Sequence, residues 1–335
     1  MRALVLSGPG DIDRFELEEL ATPEPGADEV RIAVRYAGVN WGDIQKRQGI
    51  YPDPIAYPAV IGLEVSGHVE AMGAAVRGLR IGQRVAAITG PKMLGGYADR
   101  CIVPQDYAIA LPDGIPLDLA AAMPAAAITA WHLLHSAHRL RRGETILVQA
   151  IGGGVGLMLT QIARLKGATV IGTVGSAGKA ERPLSFGAHH VIDRSEKDFV
   201  AEAMRLTKGR GVDLVIDSLG AEILERSFDA LRPFGRVINI GEAAGYPHFD
   251  IRAKLYERST SLAGFEFLHA GPGSPAWRRG IKAILAYLAD GRLRMPIEAI
   301  LPLAEAGKAH KLLESRKVSG KLLLDAGEAT VSRPN

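Results

Sequence analysis

Residues 150–157 read AIGGGVGL, between the apolar run TILVQ (145–149) and the stretch MLTQIARLKG (158–167). Three consecutive glycines between a strand-like and a helix-like segment have the form of a phosphate-binding turn. There the backbone can approach a pyrophosphate, and the N–H groups and dipole of the next helix favour the anion. A G-x-G-x-x-G pattern ending on Gly156 would need glycine at position 151, which is Ile. The turn instead fits A-x-x-G-x-x-G, with Ala150, Gly153 and Gly156 at the marked positions. A tight turn that only needs positive φ would also use glycine. What separates the two readings is the surrounding pattern.

That pattern is alternating strand and helix. After TILVQA come a helix ending at Gly167, the strand ATVIGTV (168–174), a helix around 177–187 and the strand HHVID. EKDFVAEAMRLT reads as a helix, VDLVID as a strand, AEILERSFDAL as a helix and GRVINIG as a strand, and SLAGFEFL (261–268) can extend the sheet. Strands that are apolar throughout, separated by helices, predict a doubly wound α/β fold, a parallel sheet covered on both faces. The N-terminal part differs. In EVRIAVRYAGVN, Val30, Ile32, Val34 and Tyr36 alternate with Arg31, Ala33 and Arg35, the period of a half-buried strand. Proline-dense stretches at 51–58 and 111–124 mark loops and a hinge. The expected domains are 1–120 with 269–335, irregular and mainly β, and 121–268, the dinucleotide-binding domain; the tail, with KLLLDA at 321–326, is expected to pack back on the first.

Composition narrows the classes. At 335 residues the chain suits about two domains. A net charge of +3 argues for neither nucleic acid nor a membrane surface as partner. One cysteine, Cys101, rules out internal disulfides and multi-cysteine metal sites. The richest apolar stretch, LAAAMPAAAITAW, is short and broken by Pro124, and MRALVLSGPGDID lacks the form of a signal peptide, so a cytoplasmic location is expected.

The nucleotide can be narrowed about 20 residues beyond Gly156, where enzymes of unphosphorylated dinucleotides carry an acidic residue for the ribose hydroxyls. Here Ser176 stands at that point, Lys179 is nearby, and no carboxylate occurs until Glu181. A hydroxyl and an ammonium suit a ribose 2′-phosphate, so NADPH is expected over NADH; a solvated Lys179 in a first helical turn is the alternative. Pro183 predicts that the next helix starts late or kinks.

Read with AGVNWGDIQKRQGIYP, GLEVSGHV, GGYADRCIVP and GRVINIG, these segments resemble the medium-chain dehydrogenase/reductase superfamily over essentially the whole chain. Within it the chain is similar to the zinc-free quinone oxidoreductases, the relatives of zeta-crystallin. The resemblance implies a Rossmann domain beside a GroES-like catalytic domain. Zinc-dependent relatives carry a cysteine where this chain has Asn40 and a histidine where it has Leu63, before Glu64, and the four-cysteine lobe is absent. No catalytic metal is therefore expected. The spacing of His132, His135 and His138 permits a metal on one helical side, but surface or boundary roles are the commoner reading.

The resemblance further implies that Asn40 lies near the nicotinamide ribose and Thr129 near the carboxamide. Gly153, Gly154 and Val155 would cradle the pyrophosphate, and Ser176, Lys179 and Arg194 would hold the 2′-phosphate. Arg194 stands where bacterial relatives have a tyrosine, and Arg316 aligns with another phosphate-side arginine. Ser218 and Gly241 follow the fourth and fifth strands of the nucleotide domain, where ligands sit in such sheets; capping and turn formation are their alternatives. Tyr51 is the expected hydrogen-bond or proton donor to the substrate, with Asn40 second, and a loop tyrosine packed at the cleft mouth is the alternative. Phe265, Phe267 and Trp277 would line an aromatic-tolerant acceptor pocket, or else belong to core or interface.

Three functions follow: NADPH:quinone reduction, reduction of the C=C bond of an enone, enal or enoyl thioester, and a non-catalytic NADPH-binding or RNA-binding role. The absence of a basic, aromatic-interleaved stripe argues against RNA. A homodimer paired through the 261–268 strands is expected, because an uncovered sheet edge is a liability.

Overall fold

A computed structural model describes residues 1–327, which fall into two compact units: Met1–Ile128 with the chain from Gly271 onward, and Thr129–Ala270. The first unit begins with β1 (Arg2–Leu6), β2 (Phe15–Glu19) and the long β3 (Glu29–Val39), followed by α1 (Trp41–Gln48). Next come β4 (Ala59–Val60), β5 (Glu64–Met72), β6 (Arg84–Ile88), β7 (Arg100–Pro104) and β8 (Ala108–Ala110), then α2 (Leu117–Ala121) and α3 (Met123–His132). The second unit holds β9 (Thr145–Val148), α4 (Gly154–Leu165), β10 (Thr169–Val174), α5 (Glu181–Ser185), β11 (His190–Asp193) and α6 (Phe199–Leu206). It continues with β12 (Val212–Asp217), α7 (Ala221–Ser227), β13 (Leu231–Asn239), α8 (Ile251–Glu257) and β14 (Ser261–Gly264). The chain then returns to the first unit through α9 (Pro275–Ala289), β15 (Ile297–Pro302), α10 (Ala306–Glu314) and β16 (Lys321–Asp325).

In the second unit the six strands are all parallel, in the order β11-β10-β9-β12-β13-β14. That is a doubly wound order, and it reverses direction beside β9. Every residue of β9 and β12 is buried, as a central strand covered on both faces requires. Leu157, Met158, Leu159, Ile162 and Ala163 of α4 are buried as well. Gly167, at φ +77°, ends that helix in the left-handed conformation that favours glycine. The next helix, α5, starts only at Glu181, with Pro183 in its first turn, where a missing N–H costs nothing. SLAGFEFL is shorter as a strand than its pattern suggests. β14 stops at Gly264, and Phe267–Ala270 turn into a 3-10 helix.

The first unit is mainly β. A seven-stranded sheet runs β15-β16-β3-β5-β6-β8, with β7 also on β3, and a smaller sheet runs β2-β1-β4. The C-terminal β16 lies antiparallel to β3, so the tail completes the sheet that the N-terminal segment begins. The alternation expected along β3 holds only to Val34. Val34 pairs with Gly67 and Tyr36 with Ser66, so Arg35 is an extra residue in the ladder. This bulge shifts the pattern by one. Val30, Ile32 and Val34, then Ala37 and Val39, face the core, while Tyr36 is only half-buried. Among the described residues no helix is long and apolar enough to cross a membrane.

Candidate functional site

The glycine turn lies between β9 and α4, at the carboxyl end of the central strand. Ala150 adopts φ +51°, a left-handed conformation that costs a non-glycine residue about 1 kcal/mol. Gly156 must be glycine, because a Cβ there would stand 2.5 Å from the Ile151 carbonyl oxygen. Gly153 has no such reason: its φ is −75°, and a Cβ would meet only the Ala150 oxygen at an ordinary 3.5 Å. Its bare surface is exposed, and so keeps the end of the helix open. The Gly153 N–H donates to Ala150 O, so Gly153 contributes space rather than a donor. Leu157 donates the first intrahelical bond, to Gly153 O. The amides of Gly154, Val155 and Gly156 precede it and point out of the helix end.

The positions past the neighbouring strands gather beside this turn. β10 and β11 are parallel and end in register at Val174 and Asp193, so Ser176 and Arg194 follow adjacent strand ends. Arg194 Nη2 lies 3.4 Å from where a Gly175 Cβ would be, which puts the guanidinium against the bare backbone just before Ser176. Lys179 is half-buried just ahead of α5. The nearby Asp193 carboxylate is turned onto Ser195, whose hydroxyl and N–H both donate to it and hold its pKa below the usual value. Ser218 and Gly241 follow β12 and β13 and lie side by side, a Gly241 Cβ position being 3.7 Å from Ser218 O. They rest on the buried Asp217 and the half-buried Asn239: Asn239 Nδ2 donates to Asp217 Oδ2 and to Gly241 O, and Asp217 accepts from the Leu219 and Gly220 amides. Thr129 is half-buried on α3.

In the first unit, Asn40 is the one residue between β3 and α1, at the N-cap of the helix. Its backbone N–H donates to Asp43 Oδ2 at 2.9 Å, as in a helix-start capping pair. Asp43 is fully buried, and burial pushes its pKa up to about 6 despite the Lys46 ammonium nearby. The Asn40 amide faces inward. Its Oδ1 accepts from Lys321 Nζ at 2.6 Å, and its Nδ2 donates to Glu64 Oε1 at 2.9 Å. Tyr51 packs against α1: its Cε2 is 3.4 Å from a Gly42 Cβ position, and Lys46 Nζ sits 4.7 Å from its ring centroid. That ammonium is anchored by the Lys92 and Met93 carbonyls. Arg316 is exposed after α10, at φ +57°. Trp277 is 1 % exposed in α9 and serves as core rather than as a pocket wall.

The three histidines do not converge. His132 Nδ1 meets Ser136 Oγ, His138 Nε2 meets Glu144, and His135 stacks on Trp131 with its Nδ1 on the Trp131 carbonyl. Burial lowers His135 to about 4, so its ring is neutral. No group of three His, Cys, Asp or Glu side chains suited to a metal occurs among the described residues. The residues with no sequence signal were Glu64 and Lys321. Glu64 was visible only as a neighbour of Leu63, and Lys321 only as the first residue of an apolar strand.

A glycine turn opening the first helix of a doubly wound sheet, paired with a mainly-β unit completed by the chain's tail, defines a two-domain dinucleotide-dependent dehydrogenase architecture. Residues 26–113 match the family model of the alcohol dehydrogenase GroES-like domain, and residues 154–285 match that of zinc-binding dehydrogenase. A quinone oxidoreductase of Pseudomonas aeruginosa is 35% identical, covering 94% of this chain and 96% of its own. A 2-haloacrylate reductase of a Burkholderia species is 33% identical over 96% of this chain and 98% of its own. The solved structure of Escherichia coli quinone oxidoreductase complexed with NADPH has a TM-score of 0.92 at 29% identity, covering 97% of this chain and 100% of that one. The chain also matches a phenolphthiocerol/phthiocerol polyketide synthase of Mycobacterium tuberculosis at 33% identity, over 96% of this chain, but spans only 14% of that protein's length. The chain belongs to the medium-chain dehydrogenase/reductase superfamily, in its zinc-free quinone oxidoreductase branch.

The zinc in the second family model's name does not fit here. The Lys321 ammonium lies 2.6 Å from both Asn40 Oδ1 and Glu64 Oε1. A dication at that point would meet a fixed positive charge, with neither thiolate nor imidazole to bind it.

Proposed function

We propose that the chain is an NADPH-dependent reductase that transfers hydride to a quinone. The observation that carries this reading is the open α4 start past β9, together with the Arg194 guanidinium set against Gly175 on the same side of the sheet's strand ends. One offers the first-turn amides and a helix dipole, the other a cation past β11, which suits a dinucleotide with an extra phosphate. The Gly154, Val155 and Gly156 amides bind the pyrophosphate over the bare Gly153. Ser176, Lys179 and Arg194 hold the 2′-phosphate. Ser218 and Gly241 line the cofactor's path with backbone, Thr129 takes the carboxamide, Asn40 the nicotinamide ribose, and Arg316 a phosphate. Similarity to a quinone oxidoreductase structure complexed with NADPH supports the assignment.

When bound, the cofactor supplies a hydride to a carbon conjugated with a carbonyl. The negative charge then grows on the carbonyl oxygen, and Tyr51 is the residue assigned to donate to it. Asn40 holds cofactor rather than donating a proton, since both protons of its amide are already engaged, by Gly38 O and Glu64 Oε1.

A second reading, reduction of an activated C=C bond, is supported by the similarity to a 2-haloacrylate reductase. The same cofactor arrangement serves both acceptors. NADPH oxidation by the purified protein, with a panel of ortho- and para-quinones, alkenals and enoyl thioesters, separates them: turnover restricted to the alkenes removes quinone reduction as the main activity. We also infer a homodimer joined along β14. That strand is the open edge of its sheet, and Leu262 on it is 38% exposed. Because β14 has only four residues, the pairing is short, and monomeric sedimentation would rule it out.

A further inference from the structure

Glu64 and Lys321 form an ion pair with side-chain exposures of 0% and 5%. The three ammonium protons of Lys321 go to Glu64 Oε1 at 2.6 Å, Asn40 Oδ1 at 2.6 Å and Val39 O at 3.1 Å. Glu64 Oε1 also accepts from Asn40 Nδ2, and Glu64 Oε2 accepts from the Ala125 N–H at 2.7 Å. Backbone pairing sets the cluster. Glu64 on β5 stands opposite Gly38 on β3, and Leu322, next to Lys321 on β16, stands opposite Val39. Gly38 is bare because a Cβ there would lie 2.3 Å from Glu64 Oε1. The sheet has therefore made room for a carboxylate at its centre.

Such a pair is a poor device for stability. Desolvating two charges costs about what their attraction returns, and well-packed apolar residues often do as well. What this pair does uniquely is orient an amide. Lysine only donates and glutamate only accepts, so a flipped Asn40 would set its NH2 against an ammonium and its oxygen against a carboxylate. Both Nδ2 protons are directed inward, to Glu64 and to Gly38 O. Oδ1 has a second lone pair besides the one that takes the Lys321 proton.

We propose that Glu64 and Lys321 are positioning residues that lock the Asn40 amide so that its remaining Oδ1 lone pair accepts a hydrogen bond from a sugar hydroxyl of the bound dinucleotide. This rests on the assignment of Asn40 to the nicotinamide ribose made above, and it specifies Asn40 as an acceptor only. Lys321 then acts on the cofactor through Asn40 rather than by touching it.

The test is a double-variant cycle read by NADPH binding, through the fluorescence of the reduced nicotinamide, and by KM and kcat for NADPH. Asn40→Ala and Lys321→Met should each weaken NADPH binding about tenfold, the scale of one hydrogen bond with its orientation. The combined variant should be no weaker than either alone. Losses that multiply in the combined variant would mean that Lys321 acts independently of Asn40, and would overturn the inference, as would unchanged affinity in Lys321→Met. If Lys321→Met does not fold, Glu64→Gln with Asn40→Ala gives the same cycle while keeping the size of the side chain, and the same outcomes decide. A wild-type protein that binds NADPH but gives multiplicative losses sinks only the positioning role; one that binds no NADPH sinks the proposed function as well.

Discussion

The glycine turn of the second unit and the Asn40 corner of the first are built in opposite ways. The turn works by omission: Gly156 lets the helix meet Ile151, and Gly153 leaves the helix end uncovered. Its residues are neighbours in the chain. The corner works by addition, with a carboxylate, an ammonium and an amide brought from three strands or strand ends into one buried network. A site made by leaving atoms out tolerates almost no added methyl where backbones touch. A site made of paired charges tolerates changes in shape but not the loss of one partner.

The comparison can be broken first at the turn. Gly156→Ala forces a backbone contact to open and should destabilise the second unit by about 3 kcal/mol, the upper end for overpacking, as a fall in thermal midpoint. Gly153→Ala should leave the midpoint unchanged while weakening NADPH binding at least about tenfold, because its methyl enters only the ligand's space. Equal melting losses in the two variants would show that the turn is purely structural. In the first unit, Tyr51→Phe should lower kcat about 100-fold, the usual scale for one lost donor to a developing oxyanion, with NADPH affinity unchanged. An unaltered kcat would leave protonation to solvent.

Smaller effects sharpen the contrast. Lys179→Ala and Arg194→Ala should each reduce the preference for NADPH over NADH by about 10- to 30-fold, the scale of a charge-assisted bond. Retained preference in both would remove the 2′-phosphate assignment. The smallest concerns Asp43, behind Asn40. Burial raises its pKa from 3.8 to about 6, so the folded state holds the proton more tightly than the unfolded chain. The stability it contributes is full below the unfolded value and is lost as the pH rises through 6. Between pH 7 and pH 5 the wild type should therefore gain about 1 kcal/mol relative to Asp43→Asn. His310 and His135, lowered by burial to about 3 and about 4, titrate the other way but in both proteins, so the difference isolates Asp43. Denaturant unfolding at the two pH values reads it, and a difference independent of pH would mean that Asp43 is ionised throughout.

Much of this was legible in the chain. The apolar runs of β9, β10 and β12, the helix start after AIGGG and the late start of α5, two residues before Pro183, all follow from local spacing, because each is decided by residues within one turn or one strand. Along β3 the alternation read correctly as far as Val34, and then failed at the Arg35 bulge, which is set by pairing with β5. The C-terminal half of SLAGFEFL read as strand because its residues favour strands, yet it leaves the sheet at Gly264. Glu64 and Lys321 carried no local signal at all.

By itself, then, the sequence determined the doubly wound unit, the glycine turn that opens its first helix and the lack of zinc ligands at positions 40 and 63, since a residue type or a short period decides each. The tertiary structure decided that Gly153 gives space and Gly156 gives contact, and that the Asn40 amide is held by Glu64 and Lys321. Those depend on strand register between segments far apart in the chain, and register is set by which faces can be buried together rather than by any residue's neighbours.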